Sequence, residues 1–403
     1  MSRRAHIAMV SIPAPGHVNP SIEVIRELVA RGHRVTYAND PSFAEVITGA
    51  GAELVPYAST LPMGDTGKWP KDTVGQLDVF LGDAISMLPR LRAAYENDRP
   101  DLFLYDIGGY AARVLAENWG LPLMQLSPTY VAWEGYREDV APMIEELRKA
   151  PGGAEHYRRF EEWLHDNGIR GTDSHDFGGR PPRALALIPK VMQPNADRVD
   201  PARITFTGPC FATRPHQEPW IRPEGAEKVL LVSLGSAFTN LPDFYRSCLA
   251  AFGDLLGWHV VLQVGRFVDQ AELGVIPANV EVRSWVSQLS ILEQADAFVT
   301  HAGMGGTQEG LYCGVPMIAV PQATDQFGNA DRIVELGVGR RIDTEEATPE
   351  ALRAALLDLT SDPEVAARLA KLRDEVRGEG GTVRAADLIE ELLETGATPR
   401  AVS

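Results

Sequence analysis

The chain alternates short apolar runs with helical repeats, and it does so twice. His6–Ser11 reads as a fully buried strand, and Arg34–Tyr37, Leu102–Tyr105 and Pro122–Leu126 as later strands of the same set. Ile22, Ile25, Leu28 and Val29 recur at helical spacing after the first strand, with Ser21 placed to cap that helix and Gly32 to stop it. The pattern restarts after residue 220, with strands expected at Val229–Leu234, His259–Val264, Val280–Arg283, Ala297–Thr300 and Met317–Val320. Strands separated by helices are joined by crossovers, and crossovers build parallel sheets. An α/β fold with two parallel-sheet domains follows, and 403 residues are too many for one ordinary core. The expected boundaries are 1–208 for the first domain, 209–225 for a linker rich in Pro and polar residues, and 226–382 for the second domain. Residues 383–403 form a C-terminal amphipathic helix and tail.

The formal net charge of −17 argues against nucleic-acid binding, which needs a basic patch, and against an anionic membrane surface. Cys210, Cys248 and Cys313 have no metal-ligand spacing and read as free thiols of a cytosolic protein. The N-terminus runs directly into a strand, with no apolar signal region, and no run is long enough to span a bilayer. A cytoplasmic enzyme is expected.

Neither half carries Gly-x-Gly-x-x-Gly after its first strand. The nearest run, Gly303-Met-Gly305-Gly306, sits late in the second half, which disfavours a dinucleotide oxidoreductase. That run belongs to a longer constellation whose pieces fit the parts of a nucleotide diphosphate sugar. Trp285 can stack on a base, with Val286 and Gln288 beside it. His301 and the loop Gly303, Gly305, Gly306 and Thr307 open a helix, where unpaired N–H groups and the helix dipole favour a diphosphate. Glu309 can accept from ribose hydroxyls, and Asp325-Gln326 from sugar hydroxyls. Ser236, after Gly235 at the end of the first strand of the second half, is a second candidate phosphate contact. The net negative charge makes the site depend on local N–H groups and His301 for holding an anion.

In the first half, His17 falls in the loop Ile12–Pro20, where Gly16 is expected to allow a tight turn. Its imidazole can take a proton from a hydroxyl near neutral pH. Asp106 ends the strand Leu102–Tyr105 at the same sheet edge and can orient that imidazole. Spacing alone leaves open the bland alternative of a loop histidine and a helix-capping aspartate.

The segments Ser11–Ser21, Ser233–Ser236, Thr300–Gly310 and Pro321–Asp331 together resemble the nucleotide-sugar-dependent glycosyltransferases of family 1. The likeness runs over nearly the whole chain and is strongest to the actinomycete macrolide glycosyltransferases of the oleandomycin type. It implies the GT-B architecture: two Rossmann-like domains facing a cleft, with the C-terminal helix crossing back to the first. It implies His17 as general base and Asp106 as its partner, in an inverting displacement that turns an α-linked donor into a β-glycoside. It implies contact of the Trp285 element with uracil, of His301 with the phosphates, of Glu309 with ribose, and of Asp325-Gln326 with glucose. UDP-glucose is thus the expected donor, although Ser287 stands where Pro is frequent, which leaves thymine open. The absence of an Asp-x-Asp pair leaves no metal implied, and no other cofactor. The acceptor implied is a macrolide or similar apolar molecule, with flavonoids and phenols tolerated, on a pocket of the first domain. Candidates for that pocket are Met63, Phe80, Ser127, Tyr130 and Trp133, with the helical region Met143–Leu147. Antibiotic inactivation or self-resistance is the expected role. The alternatives are a biosynthetic transferase using a TDP-deoxysugar and a nucleotide-sugar epimerase. Neither the natural acceptor nor monomer versus homodimer is fixed by the sequence.

Overall fold

The computed structural model describes residues 4–62, 69–211, 219–235 and 239–396. Met63 and Ser236 lie outside the described residues. Contacts divide the chain into two compact units, Met1–Ala212 with Glu379–Ser403, and Thr213–Gly378.

The first unit holds a seven-stranded parallel sheet: β1 (His6–Val10), β2 (Arg34–Asn39), β3 (Glu53–Pro56), β4 (Leu102–Tyr105), β5 (Leu123–Ser127), β6 (Ala184–Ala186) and β7 (Ile204–Phe206). The order β3-β2-β1-β4-β5-β6-β7 reverses direction at β1/β4. β1 and β4 pair from Ile7↔Leu102 to Val10↔Tyr105 and bury nearly every side chain, so they read as unbroken apolar runs. The second unit holds six parallel strands: β8 (Lys228–Ser233), β9 (Trp258–Gln263), β10 (Val280–Arg283), β11 (Ala297–Thr300), β12 (Met317–Ala319) and β13 (Gly339–Arg341). Their order, β10-β9-β8-β11-β12-β13, reverses at β8/β11. Each unit therefore has its switch point where its first strand meets its fourth, and ligands of open α/β sheets bind beyond the carboxyl ends of strands at that place.

The expected strands form to within two residues at either end. The strands missing from the sequence reading are β3, β6, β7 and β13, each three or four residues long. One local expectation is overturned. The segment after β1 is not a loop to Pro20 but a helix from Pro15 to Ala30. Ala14 is its extended N-cap, and Pro15 occupies the first turn, where a missing N–H costs nothing. Pro20 lies inside the helix. Gly16 is accordingly helical rather than a turn, and Ser21 is not a cap: its Oγ donates to Val18 O at 3.0 Å and meets Tyr37 Oη at 2.9 Å. Gly32 does end the helix at φ 96°, with its N–H on Val29 O and that of His33 on Leu28 O.

The buried face of this helix, Ile22, Ile25 and Leu28, shares a core with Ala385, Ala386, Ile389 and Leu392 of the C-terminal helix Gly381–Thr395. Burying Ile389 and Leu392 contributes about 1.5–3 kcal/mol each. Polar contacts fix the docking: Arg31 Nη1 reaches Asp387 and Glu390, both at 2.6 Å, and His33 Nε2 lies 2.9 Å from Glu390. Among the described residues no helix is long and apolar enough to cross a membrane, and Cys210, Cys248 and Cys313 are free thiols.

Candidate functional site

At the switch point of the first unit, the helix starting at Pro15 carries His17 on its first turn, and the bend after β4 carries Asp106. His17 Nδ1 lies 2.6 Å from Asp106 Oδ2. The carboxylate is buried, with its side chain 1% exposed, while the imidazole is 23% exposed. Asp106 Oδ1 accepts the Gly108 N–H at 3.0 Å, so both carboxylate oxygens are spoken for. An ionised carboxylate only accepts, so the short contact makes Nδ1 the protonated nitrogen and leaves the Nε2 lone pair for a proton from outside. Asp106 does not cap the next helix, whose N-cap is Gly109 without a side-chain bond.

Beneath His17 lies a polar network that sequence reasoning missed. Tyr37 Oη meets Ser11 Oγ and Ser21 Oγ, both at 2.9 Å, and Asn39 Nδ2 and Tyr57 Oη donate to Ser11 O at 3.0 Å. These groups hold the strand-to-helix turn from below. Burial pushes the Tyr37 and Tyr57 phenols well above their ordinary range, so both act as neutral hydroxyls.

Next to Asp106 a pocket of about 410 Å³ opens within the same unit, lined by Ile107, Tyr110, Gln125, Tyr130, Trp133 and Tyr136 among others. Of the acceptor candidates, Tyr130 and Trp133 line it. Ser127 is buried behind it with Oγ on Thr129 O at 3.0 Å. Phe80 instead packs on Trp69, with ring centroids 5.6 Å apart. Met143, in the helix Tyr136–Lys149, is 51% exposed and not part of the lining. Trp133 is held by its indole N–H on Asp139 Oδ2 at 2.7 Å and by an edge contact with Tyr136. Burial, with Asp106 nearby, pushes the Tyr110 phenol up to about 12. Tyr110 was legible in principle, since it follows the carboxyl end of β4 at the switch point, whereas Gln125 lies inside β5.

In the second unit, β8 runs into Gly235 (φ 76°) and β11 into His301. The His301 ring lies between two glycines. A Cβ on Gly235 would come within 2.6 Å of its Cε1, and one on Gly303 would collide with its Nε2. The turn at Gly235 is braced by Gln263, which accepts from Ser233 Oγ at 3.1 Å and donates to Gly235 O at 3.1 Å. Burial lowers His301 to about 4, against a smaller raising influence of Asp325, so the ring is neutral at pH 7. Gly303 is the N-cap of the helix Met304–Cys313 and makes no side-chain capping bond. The first-turn amides of such a helix have no partner within it and present donors and the positive dipole end to an anion.

Trp285, 60% exposed, stands past the end of β10 and is not a core residue, whereas Val286 beside it is buried. Gln288 opens a short helix, and its Nε2 donates to Glu309 Oε2 at 2.7 Å. Glu309 is therefore a buried carboxylate held in place rather than a solvated helix-start residue. Thr307 is fully buried on the same helix. Asp325 is exposed at the start of the helix Gln326–Glu335, taking Thr324 Oγ1 at 3.0 Å and Asn329 Nδ2 at 3.0 Å. Gln326 departs from its expected role in part. It is buried, and its Oε1 accepts the N–H groups of Gln322 and Ala323 at 2.7 and 3.1 Å, leaving only its amide donors for another partner.

Two doubly wound parallel sheets, each with its polar loops at its own switch point, define a glycosyltransferase of the GT-B type. The chain belongs to family 1 of the glycosyltransferases. Residues 249–392 match the C-terminal domain described as erythromycin biosynthesis protein CIII-like. Over 393 residues the chain is 58% identical to oleandomycin glycosyltransferase of Streptomyces antibioticus, covering 96% of this chain and 91% of that one. It is 36% identical to the NDP-glycosyltransferase YjiC of Bacillus licheniformis over 96% of this chain and 98% of the relative. Among solved structures it resembles the glycosyltransferase of kitacinnamycin, with a TM-score of 0.91 and 59% identity over 97% of this chain and 99% of that one. It also resembles the calicheamicin glycosyltransferase CalG4, with a TM-score of 0.86 and 32% identity, again over 97% of this chain and 99% of that one.

Proposed function

We propose that the protein transfers glucose from UDP-glucose to a hydroxyl of a macrolide or similar apolar molecule, with inversion. The observation that carries this reading is the 2.6 Å contact of His17 Nδ1 with Asp106 Oδ2, which leaves Nε2 as a base beside an aromatic pocket. In the proposed step, Nε2 takes the acceptor's hydroxyl proton as that oxygen attacks the anomeric carbon. The new C–O bond forms as the bond from that carbon to the diphosphate oxygen breaks, and UDP leaves. Asp106 stabilises the imidazolium without taking its proton. An α-linked donor attacked from its far side gives a β-glycoside.

The second unit supplies the donor groups. Trp285 stacks on the base, Glu309 accepts from ribose, and Asp325 with the Gln326 amide meets the sugar. The His301 N–H and the helix amides after Gly303 stabilise the departing diphosphate, with local dipoles doing what the net charge of −17 cannot. No metal or other cofactor is invoked. Glucosylation of an antibiotic hydroxyl would inactivate the molecule, giving a role in self-resistance. The name of the oleandomycin relative supports the macrolide class of acceptor. Another relative, 32% identical over 98% of this chain, is named demethyllactenocin mycarosyltransferase, which keeps a TDP-deoxysugar as the competing donor.

Mass-spectrometric turnover tests the proposal, with UDP-glucose, TDP-glucose and a TDP-deoxysugar against a panel of macrolides and flavonoids. Wild type should give a macrolide glucoside from UDP-glucose with a β-anomeric proton by NMR, and His17→Ala should give none. An α-product or equal turnover by both enzymes sinks the mechanism. Product from the deoxysugar alone sinks the donor assignment, and sugar isomerisation without acceptor replaces the reading with an epimerase.

A further inference from the structure

Asn329 belongs to the motif around Asp325 but has no part in the scheme above. It is fully buried on the helix Gln326–Glu335. Its Nδ2 donates one hydrogen to Ala302 O and the other to Asp325 Oδ2, both at 3.0 Å. A carbonyl and a carboxylate both only accept, so the amide can face them only with its NH₂. Its Oδ1 is buried with no partner among the described residues. The side chain thus leaves an acceptor unsatisfied in order to make this particular bridge, which packing alone would not favour.

One end of the bridge is strained, and the other follows directly on a strained residue. Among the described residues three non-glycines have positive φ: Asn195, Ala302 (60°) and Thr324 (54°). Ala302 sits between His301 and Gly303, and Thr324 immediately precedes Asp325. An alanine at this φ would relax if nothing held it. Ala302 is held on both sides, its N–H by Thr300 Oγ1 at 3.2 Å and its carbonyl by Asn329. The direction of its peptide units decides where the His301 ring and the opening of the helix Met304–Cys313 point.

We propose that Asn329 is a positioning residue that sets the diphosphate loop and the sugar-facing carboxylate against each other, so that both arms of the donor site depend on one amide. The inference rests on the donor-site reading given above. Asn329 touches no reacting atom in it and acts through Ala302 and Asp325.

Calorimetric titration of the full chain with UDP and with a non-hydrolysable UDP-glucose analogue separates the two arms. UDP reads the phosphate arm, and the gain on adding the sugar reads the carboxylate arm. Asn329→Ala should weaken UDP by tenfold or more and also shrink the sugar's gain, whereas Asp325→Ala should shrink the gain alone. Ala302→Gly placed in the Asn329→Ala background should recover a good part of the UDP affinity, because glycine holds a positive φ without a tether. Asn329→Asp, of the same shape, is the second variant should the alanine form not fold. Its carboxylate would face two acceptors, so its loss should equal or exceed that of alanine. Wild type that binds neither ligand would overturn the donor-site reading itself. Wild type that binds both, with Asn329→Ala or Asn329→Asp matching it on UDP, would overturn the bridge while leaving that reading intact.

Discussion

Replacing Asp106 by asparagine should damage catalysis more than removing the side chain altogether. The carboxylate divides its oxygens between His17 Nδ1 at 2.6 Å and the Gly108 N–H at 3.0 Å. An asparagine keeps the Gly108 bond only by turning its carbonyl there, which aims its NH₂ at Nδ1. Nδ1 must then accept, the ring proton moves to Nε2, and the lone pair that should receive the acceptor's proton is gone. Recovering it requires flipping the amide. The flip exchanges two bonds for one, a net loss of about 1 kcal/mol, and leaves the part-buried Gly108 N–H unsatisfied at about 1–3 kcal/mol. The sum, about 2–4 kcal/mol, is a factor of roughly 30 to 10³ in kcat, and the same exchange in a Ser-His-Asp triad costs about 10⁴. Asp106→Ala leaves Nδ1 free to take either state and loses mainly the charge-assisted bond, about 1.5–3 kcal/mol, or roughly 10- to 150-fold. Single-turnover rates at saturating donor and acceptor, followed by mass spectrometry, measure the order of the two variants, with UDP affinity expected to stay within about twofold in both. Asp106→Asn within tenfold of wild type, or faster than Asp106→Ala, would refute the tautomer argument.

Gly303→Ala should push the His301 ring out of its slot, since the new Cβ collides with Nε2 at a φ of −61° that alanine accepts. Overpacking should cost about 1–3 kcal/mol of stability, and the displaced ring should raise donor KM by tenfold or more. The lowered His301 pKa makes a stability prediction. The unfolded ring protonates near 6.5 and the folded ring near 4, so the unfolded state gains protons first as pH falls. Relative to His301→Gln, wild type should hold full stability above about pH 6.5. It should lose about 1–2 kcal/mol between there and pH 5, read as a narrowing Tm difference; a constant difference over that range would refute it. Glu390→Ala should strand the buried His33 Nε2–H and leave Arg31 with Asp387 and Glu27 alone as carboxylate partners, lowering stability by about 1–3 kcal/mol in thermal melts while leaving UDP affinity unchanged.

Much of this molecule was legible because burial on both sides of a parallel sheet writes itself as unbroken apolar runs. His6–Val10, Leu102–Tyr105 and Ala297–Thr300 could be placed for that reason, and the loops that follow such strands are where polar residues become informative. The start of the first helix was misread because Ser21 looks like a cap and Pro20 like a breaker. Local propensity gave way to Pro15 at the first turn, and to Tyr37, which uses the Ser21 hydroxyl from a neighbouring strand. No spacing rule exposes that contact, since it depends on how β2 sits beside β1. The acceptor side was least legible for the same reason: Tyr130 and Trp133 line the pocket, yet Phe80 has the same chemistry and packs on Trp69.

What the residue types conceal most is their state. The sequence places a histidine at the end of β11 and invites the view that it meets phosphate as a cation. Burial between Gly235 and Gly303 makes that ring neutral, so it can donate through one nitrogen only. Glu309 looks in sequence like an ordinary helix-start acid, a poor neighbour for a diphosphate. The Gln288 amide takes up one of its oxygens and turns the charge into a fixed hydrogen-bond acceptor. An acidic protein can thereby serve an anionic ligand without a cationic funnel, because preorganised dipoles act at contact distance while the net charge is screened beyond about 10 Å at ordinary ionic strength. It follows that UDP affinity should depend only weakly on salt between 50 and 500 mM, about threefold or less. A steep decline would mean that side-chain cations, and not the His301 loop and the amides after Gly303, carry the anion.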